Sequence, residues 1–369
     1  MTPIFLYGTL LDREHLSIVA GANVSARAAR LDGHGVFHAG EEFYPCIAED
    51  DGHIDGLLVE AGAARARLDF YEGGYGYSLK PVTVDTEDGP VAAEVYWPGA
   101  DVPAPGAPWS LEAWKAKWGA LTLLAAREAM GCFGQITPDE LANRMPTMRA
   151  RAQSRLLAEA DPTPLPLKDP PAGDVEIVQE FTPYTGFFAV KEFDLSHPTF
   201  DGRRSRVVKR ATFLSGDAVV LLPYDPVRDR VHLIEQFRAG PLGRGDPQTF
   251  LLEAIAGRID PGETPEEAAR REAQEEGGLT LKSLHMASKS YPSPGAVSEF
   301  LHIYVGIADL PDDVAETGGV ASEDEDIRTH LVTYERFETL LDECTFRVGP
   351  LELAAHWLVR HRSRLRNGA

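Results

Sequence analysis

The chain has 369 residues, with 57 Asp and Glu against 36 Lys and Arg and a net charge of −21. The length suggests two domains or so. The charge argues against binding to the nucleic-acid backbone or to an anionic membrane surface, since both need clustered basic residues. No stretch approaches the roughly 20 apolar residues of a membrane-spanning helix, and Met1 runs into a strand pattern without a basic segment and leader-length apolar run. The three cysteines, Cys46, Cys132 and Cys344, are far apart and read as small buried hydrophobes in a reducing compartment. A cytoplasmic protein without membrane or nucleic-acid partners is expected.

In chain order, Pro3-Ile4-Phe5-Leu6-Tyr7-Gly8-Thr9-Leu10 reads as a buried strand running into a glycine turn. Short strand patterns recur at Gly56 to Val59, Lys80 to Val84 and Val91 to Tyr96, mostly without long helices between them, which favours a compact, mainly antiparallel barrel over βαβ units. The amphipathic run Leu111 to Met130 predicts a helix packed against it. From Pro138 to Ala160 the pattern is polar and helical. The following DPTPLPLKDPPAGD holds five prolines, which cannot join a helix or a central strand. Residues 1–135 are therefore expected as one domain, 136–173 as a helical and Pro-rich linker, and 174–369 as a second domain.

The most informative stretch is GRIDPGETPEEAARREAQEEGGL, from Gly257 to Leu279. Thr264-Pro265-Glu266-Glu267 offers an N-cap hydroxyl, a proline at the first helical position and a glutamate placed to close a capping box. A helix should start near Pro265 and stop at Gly277-Gly278, where a left-handed cap suits glycine. Glu272, Glu275 and Glu276 then share one helical face. A solvated acidic face is the bland reading of such a run. A hard divalent cation set among stacked carboxylates is the sharper one.

With Gly257, Glu263, Arg271, Gly278 and Leu279 in place, this segment resembles the Nudix box, departing from it only in Ala273 where a bulky aliphatic is usual. The resemblance implies hydrolysis of a nucleoside diphosphate linked to another group, with Mg²⁺ or Mn²⁺ as cofactor. It makes Glu272, Glu275, Glu276 and the carbonyl of Ala256 metal ligands, with Glu263 and Arg271 orienting the ligand carboxylates. From about Gly186 to Leu365 the chain looks like bacterial ADP-ribose pyrophosphatases. The carriers are Gly186-Phe187-Phe188, Lys209-Arg210, the run Ala218 to Arg238, and Ser293-Pro294-Gly295 followed by Glu299. In the acidic segment Gly319 to Ile327, the matching positions make Glu323 the general base and Glu325 a further metal ligand. Phe187 and Arg210 are suited to sandwich adenine, Arg238 to contact the diphosphate, and Pro294 and Glu299 to line the substrate site. The family also implies a homodimer, with an adenine site built from the Phe of one chain and the Arg of the other. The small-molecule substrate is expected to be ADP-ribose or a related nucleotide sugar.

The first third resembles the γ-glutamylcyclotransferase and AIG2-like family through Tyr7-Gly8-Thr9-Leu10 and Leu68-Asp69-Phe70-Tyr71-Glu72-Gly73. That resemblance implies that the glycine turn meets a substrate carboxylate and that Glu72 moves a proton. Tyr77-Ser78-Leu79 stands where relatives usually carry Tyr-x-Arg, so an active cyclotransferase and a non-catalytic interaction module both stay open. The fold class expected is α+β in two domains, a small mixed β-barrel followed by a Nudix α/β/α sandwich. The layout resembles tellurite-resistance proteins.

Overall fold

A computed structural model describes residues 2–164, 172–313, 317–319 and 325–368. The chain divides into two compact units, 1–152 and 153–369.

The first unit contains β1 (Ile4–Leu6), α1 (Arg13–Ala20), β2 (Ala26–Ala39), β3 (Pro45–Val59), α2 (Arg65–Gly73), β4 (Tyr77–Thr86), β5 (Gly89–Pro98), β6 (Pro105–Pro108) and α3 (Leu111–Gly131). It also holds most of α4 (Pro138–Ala160). The strands pair in the order β3-β1-β5-β4-β2, and β2 pairs back onto β3, which closes the barrel and leaves β6 beside β2. β1 runs parallel to β5 and antiparallel to β3, so the barrel is mixed, as expected. Closure removes the open edges that a five-stranded sheet would otherwise present.

Alternation along β1 splits the apolar residues between two cores. Phe5 joins Ile47, Leu58, Val84 and Val95 in one, whereas Ile4 and Leu6 face the helices in the other. α3 starts at Ser110, whose hydroxyl accepts from the Ala113 N–H, close to the expected boundary. The β1 pattern ends earlier than expected, because Gly8 at φ 64 turns the chain into a 3₁₀ helix over Gly8–Leu11. The expected linker does not begin at 136 either. Leu141, Met145 and Met148 of α4 are buried in the same core as Leu68 and Tyr71, so their apolar face belongs to the first unit. Of the proline-rich segment, 165–171 lies outside the described residues.

The second unit contains β7 (Glu176–Thr185), β8 (Ala189–Ser196), β9 (Val208–Leu214), β10 (Ala218–Asp225), β11 (Arg230–Phe237), α5 (Ala239–Arg244), β12 (Phe250–Glu253) and β13 (Ile255–Arg258). After these come α6 (Pro265–Gly277), β14 (Leu281–Ser290), β15 (Leu301–Ala308), β16 (Thr317–Gly318), β17 (Ile327–Thr333), α7 (Tyr334–Asp342) and α8 (Gly349–Asn367). Strands β7, β8 and β9 form a separate three-stranded sheet, and the main sheet runs β14-β15-β10-β11-β17-β16, with β12 on β11 and β13 on β10. β10 is apolar on both faces because both are covered. Val219 and Leu221 pack with Ala269 and Ala273 of α6, while Val220, Leu222 and Tyr224 pack with residues of α7 and α8. Helices on each side of one sheet make this the expected α/β/α sandwich.

Candidate functional site

The site of the second unit is built on α6. Thr264 accepts from the Glu267 N–H while Glu267 accepts from the Thr264 N–H, a complete capping box with Pro265 in the first turn. The far end closes on Gly278, left-handed at φ 62, and the Leu279 N–H donates to the Ala273 carbonyl. These two ends fix the phase of the helix, and the phase sends Glu272 and Glu276 inward, where they are 8% and 1% exposed.

Each buried carboxylate meets a defined neighbour. Glu276 accepts from the Ala256 N–H at 3.0 Å. Glu272 lies so close to Gly257 that a Cβ there would sit 1.8 Å from its Oε1. Arg271 ties the cluster together. Its guanidinium donates to Glu263 (2.9 and 3.1 Å), to Glu272 (2.7 Å), to Glu275 (2.9 Å) and to the Arg258 carbonyl (2.8 Å). Burial pushes the Glu272 carboxyl up to about 7 despite Arg271, and pushes Glu276 up to about 8, with Glu272 and Glu325 adding to the effect. Two neighbouring buried carboxylates that resist ionisation together are a donor set of hard oxygens, the kind a divalent cation compensates. Among the described residues no three acidic side chains converge as a ready cage, because Arg271 draws Glu272 and Glu275 to itself.

The other expected residues fall around this cluster. Phe187 is 63% exposed, edge-on to Phe188, and the Arg258 guanidinium lies 4.2 Å from its ring centroid. Arg258 was not anticipated from the sequence. Its place beside Gly257 was visible, but no local pattern shows that it reaches a ring some seventy positions upstream. Arg210 is exposed on β9 and donates to the Lys209 carbonyl, and its contact with Phe187 is not seen within one chain. Arg238 follows β11 and forks onto Glu253 at 2.9 and 2.8 Å, with the charges of Glu276 and Glu325 within its field. A diphosphate would therefore share Arg238 with a carboxylate that the sequence did not single out. Pro294 occupies the turn closed by the Ala296 N–H to the Ser293 carbonyl, a position that suits its fixed φ. Glu299 accepts from Ser215 and feels both Arg258 and Arg238. The Gly319 N–H reaches the Glu275 carbonyl, and Glu325 lies against Gly319. Glu323 lies outside the described residues.

A family model described as "NUDIX domain" matches residues 214–348. The ADP-ribose pyrophosphatase of Escherichia coli (strain K12) is 40% identical over 194 residues, 53% of this chain and 92% of that protein. The chain belongs to the Nudix hydrolases. The ADP-ribose pyrophosphatase of Haemophilus influenzae is 36% identical over 50% of this chain and 86% of its own length. The GDP-mannose pyrophosphatase of Cronobacter sakazakii is 32% identical over 42% of this chain and 78% of its own length. Ahead of the Nudix domain, a second family model, "Gamma-glutamyl cyclotransferase, AIG2-like", matches residues 4–116.

That AIG2-like domain has its own cavity, lined among others by Tyr7, Thr9, Leu10, Tyr71, Glu72, Tyr75 and Trp114. Gly8 needs its positive φ, and a Cβ on it would meet the Pro45 ring at 2.5 Å. Tyr7 donates to the Tyr96 carbonyl and Tyr77 to the Pro45 carbonyl, which holds the phenols in place around Glu72. Burial raises the Glu72 carboxyl to about 8, so near neutral pH it can hold or release a proton.

Proposed function

We propose that the Nudix domain hydrolyses the diphosphate of ADP-ribose, giving AMP and ribose 5-phosphate with Mg²⁺ as the cation. The observation that carries this reading is the buried Glu272 and Glu276 pair, tied through Arg271 and Arg258 to an exposed Phe187 ring, in a chain 40% identical to an ADP-ribose pyrophosphatase. Glu272, Glu275, Glu276, Glu325 and the Ala256 carbonyl would hold Mg²⁺. The bound cation neutralises charge on the phosphates and lowers the pKa of water. Arg271 sets the orientation of Glu272 and Glu275, and Glu263 in turn holds Arg271. Phe187 offers its ring to adenine, Arg238 its guanidinium to the diphosphate, and Pro294 and Glu299 the wall beyond. Glu323 is the base that takes the proton of the attacking water.

Arg210 acts from a second copy of the chain, in a homodimer. Exposed Ile177, Val178, Tyr184, Phe187 and Phe213 on or beside the three-stranded sheet favour that assembly. The test is Mg²⁺-dependent release of AMP from ADP-ribose set against NADH, diadenosine polyphosphates and GDP-mannose, scored for GMP. Glu276→Gln should lose at least about a hundredfold in kcat while melting cooperatively. A variant near the wild-type rate overturns the assignment. Preference for GDP-mannose would move the substrate toward that of the Cronobacter relative.

A second reading concerns the AIG2-like domain and is favoured by Glu72 facing its cavity: a γ-glutamyl cyclotransferase. In it the γ-glutamyl α-amine attacks its own γ-carbonyl, the amide C–N bond breaks, and Glu72 takes a proton from the attacking nitrogen and returns it to the leaving amine. Absence of 5-oxoproline release from γ-glutamyl substrates would leave an interaction module.

A further inference from the structure

Helix α4 lies beyond residues 4–116, yet it sends Arg149 against rings that line the N-terminal cavity. The guanidinium carbon stands 4.9, 5.3 and 5.2 Å from the ring centroids of Phe43, Tyr44 and Tyr75. All three rings also line the cavity. The same aromatic panel thus has the cation against it and borders the space where a ligand would lie. The charge is felt as far in as Tyr71, on the wall beside Glu72.

The cation is incompletely matched. Among the described residues its ion pair is to Glu42 at 3.9 Å, too long for a hydrogen bond, Glu42 is itself half exposed, and the Tyr75 hydroxyl is its other polar neighbour. The Arg149 side chain is only 14% exposed, and its buried Nε has no hydrogen-bond partner among the described residues. Leaving a guanidinium donor buried and unmatched is unfavourable unless something completes it. A ligand carboxylate would do so, since guanidinium and carboxylate form paired, charge-assisted hydrogen bonds. The phenols elsewhere in the cavity supply donors, and no Lys or Arg is among the described residues that line it.

We propose that Arg149 is a specificity residue of this cavity, selecting γ-glutamyl amino acids, whose far end carries a free carboxylate, over γ-glutamyl amines, whose far end carries none. This rests on reading the cavity as a γ-glutamyl site. The two ligand classes differ at the end remote from the γ-glutamyl group, so Arg149 acts on choice of ligand rather than on the proton movement at Glu72.

The test is isothermal titration of the full chain with γ-glutamylalanine and with γ-glutamylethylamide, which differs from it by the carboxylate alone. The wild type should bind γ-glutamylalanine at least about tenfold more tightly. Arg149→Met should bring the ratio near unity by weakening only γ-glutamylalanine, and Arg149→Lys should keep part of the preference. Equal wild-type affinities, or a preference that survives Arg149→Met, would overturn the role of Arg149 while the γ-glutamyl reading stands. Binding of neither compound by wild type would overturn both. If Arg149→Met fails to melt cooperatively, the wild-type ratio and Arg149→Lys decide.

Discussion

Two glycines of the Nudix domain do different work, and the difference can be measured. Gly257 is needed for space, since the Glu272 carboxylate occupies the place of a Cβ. Gly278 has open space but sits at φ 62, where an L side chain is strained. Gly278→Ala should cost roughly 1–2 kcal/mol in denaturant melts with little change in kcat. Gly257→Ala should instead displace Glu272 and lower kcat at least about a hundredfold, because misplacement by about an ångström has that effect on positioned groups. If the two variants show the same balance of stability and rate, the distinction fails.

His15 gives a residue-scale prediction about pH. It is 1% exposed, with Nδ1 facing the Thr9 carbonyl and Nε2 facing the Tyr71 hydroxyl at 2.9 Å. The neutral ring donates from Nδ1 and accepts at Nε2, and burial lowers its pKa from 6.5 to about 4. Between those values the unfolded chain binds the proton that the folded chain refuses. The stability of the first unit is therefore full above about pH 6.5 and is lost as pH falls toward 4, by roughly 3 kcal/mol. His15→Gln should be less stable at neutral pH but should flatten this acid limb in urea melts followed at several pH values. An unchanged slope would assign the acid sensitivity to other groups.

At the scale of elements, α6 shows how capping becomes chemistry. The box at Thr264 starts the helix and the left-handed Gly278 ends it, so the carboxylates cannot drift around the axis. Thr264→Ala should cost about 1 kcal/mol. Because Glu267 loses the hydroxyl at both its N–H and its carboxylate and keeps only the residue 264 N–H, the first turn should fray in hydrogen exchange while Glu272 and Glu276, two turns on, hold their places. Activity should fall much less than stability. The approach of β16 serves the same helix from its other end, since a Cβ on Gly318 would meet the Glu276 carbonyl at 1.9 Å. Residues on either side of β16 fall outside the described structure, and Glu323 is among them.

At the scale of the molecule, the net charge of −21 opposes the approach of any anionic substrate. Local cations must therefore receive it, and Arg238, Arg258 and Arg271 all stand within the Nudix site. Added salt screens the unfavourable long-range field, so kcat/KM for ADP-ribose should rise modestly between low and physiological ionic strength, before competition at the site takes over. The proposed dimer makes a separate prediction. Sedimentation should give a species of twice 40.3 kDa for wild type. Val178→Asp, which places a charge on the exposed apolar face, should shift it toward monomer and weaken ADP-ribose binding. A wild-type monomer with full activity would remove Arg210 from the site.

The sequence by itself determined the features carried by local spacing. The capping box, the left-handed stop, the common inward face of Glu272 and Glu276, and α3 all follow from helical periodicity and from residues whose conformational limits are intrinsic, whereas Glu275, expected on that face, stays exposed. The glycine turn after β1 was legible for the same reason, although the strand ended sooner. Only the tertiary structure decided what faces those elements across the chain. β2, fourteen residues long, was missed because its exposed and half-buried positions follow barrel curvature rather than clean alternation. Arg258 beneath Phe187, Glu253 on Arg238, and Arg149 beside Phe43, Tyr44 and Tyr75 join residues distant in sequence. Periodicity sets which face of an element a residue occupies, but the partner on that face is chosen by packing, which no local pattern encodes.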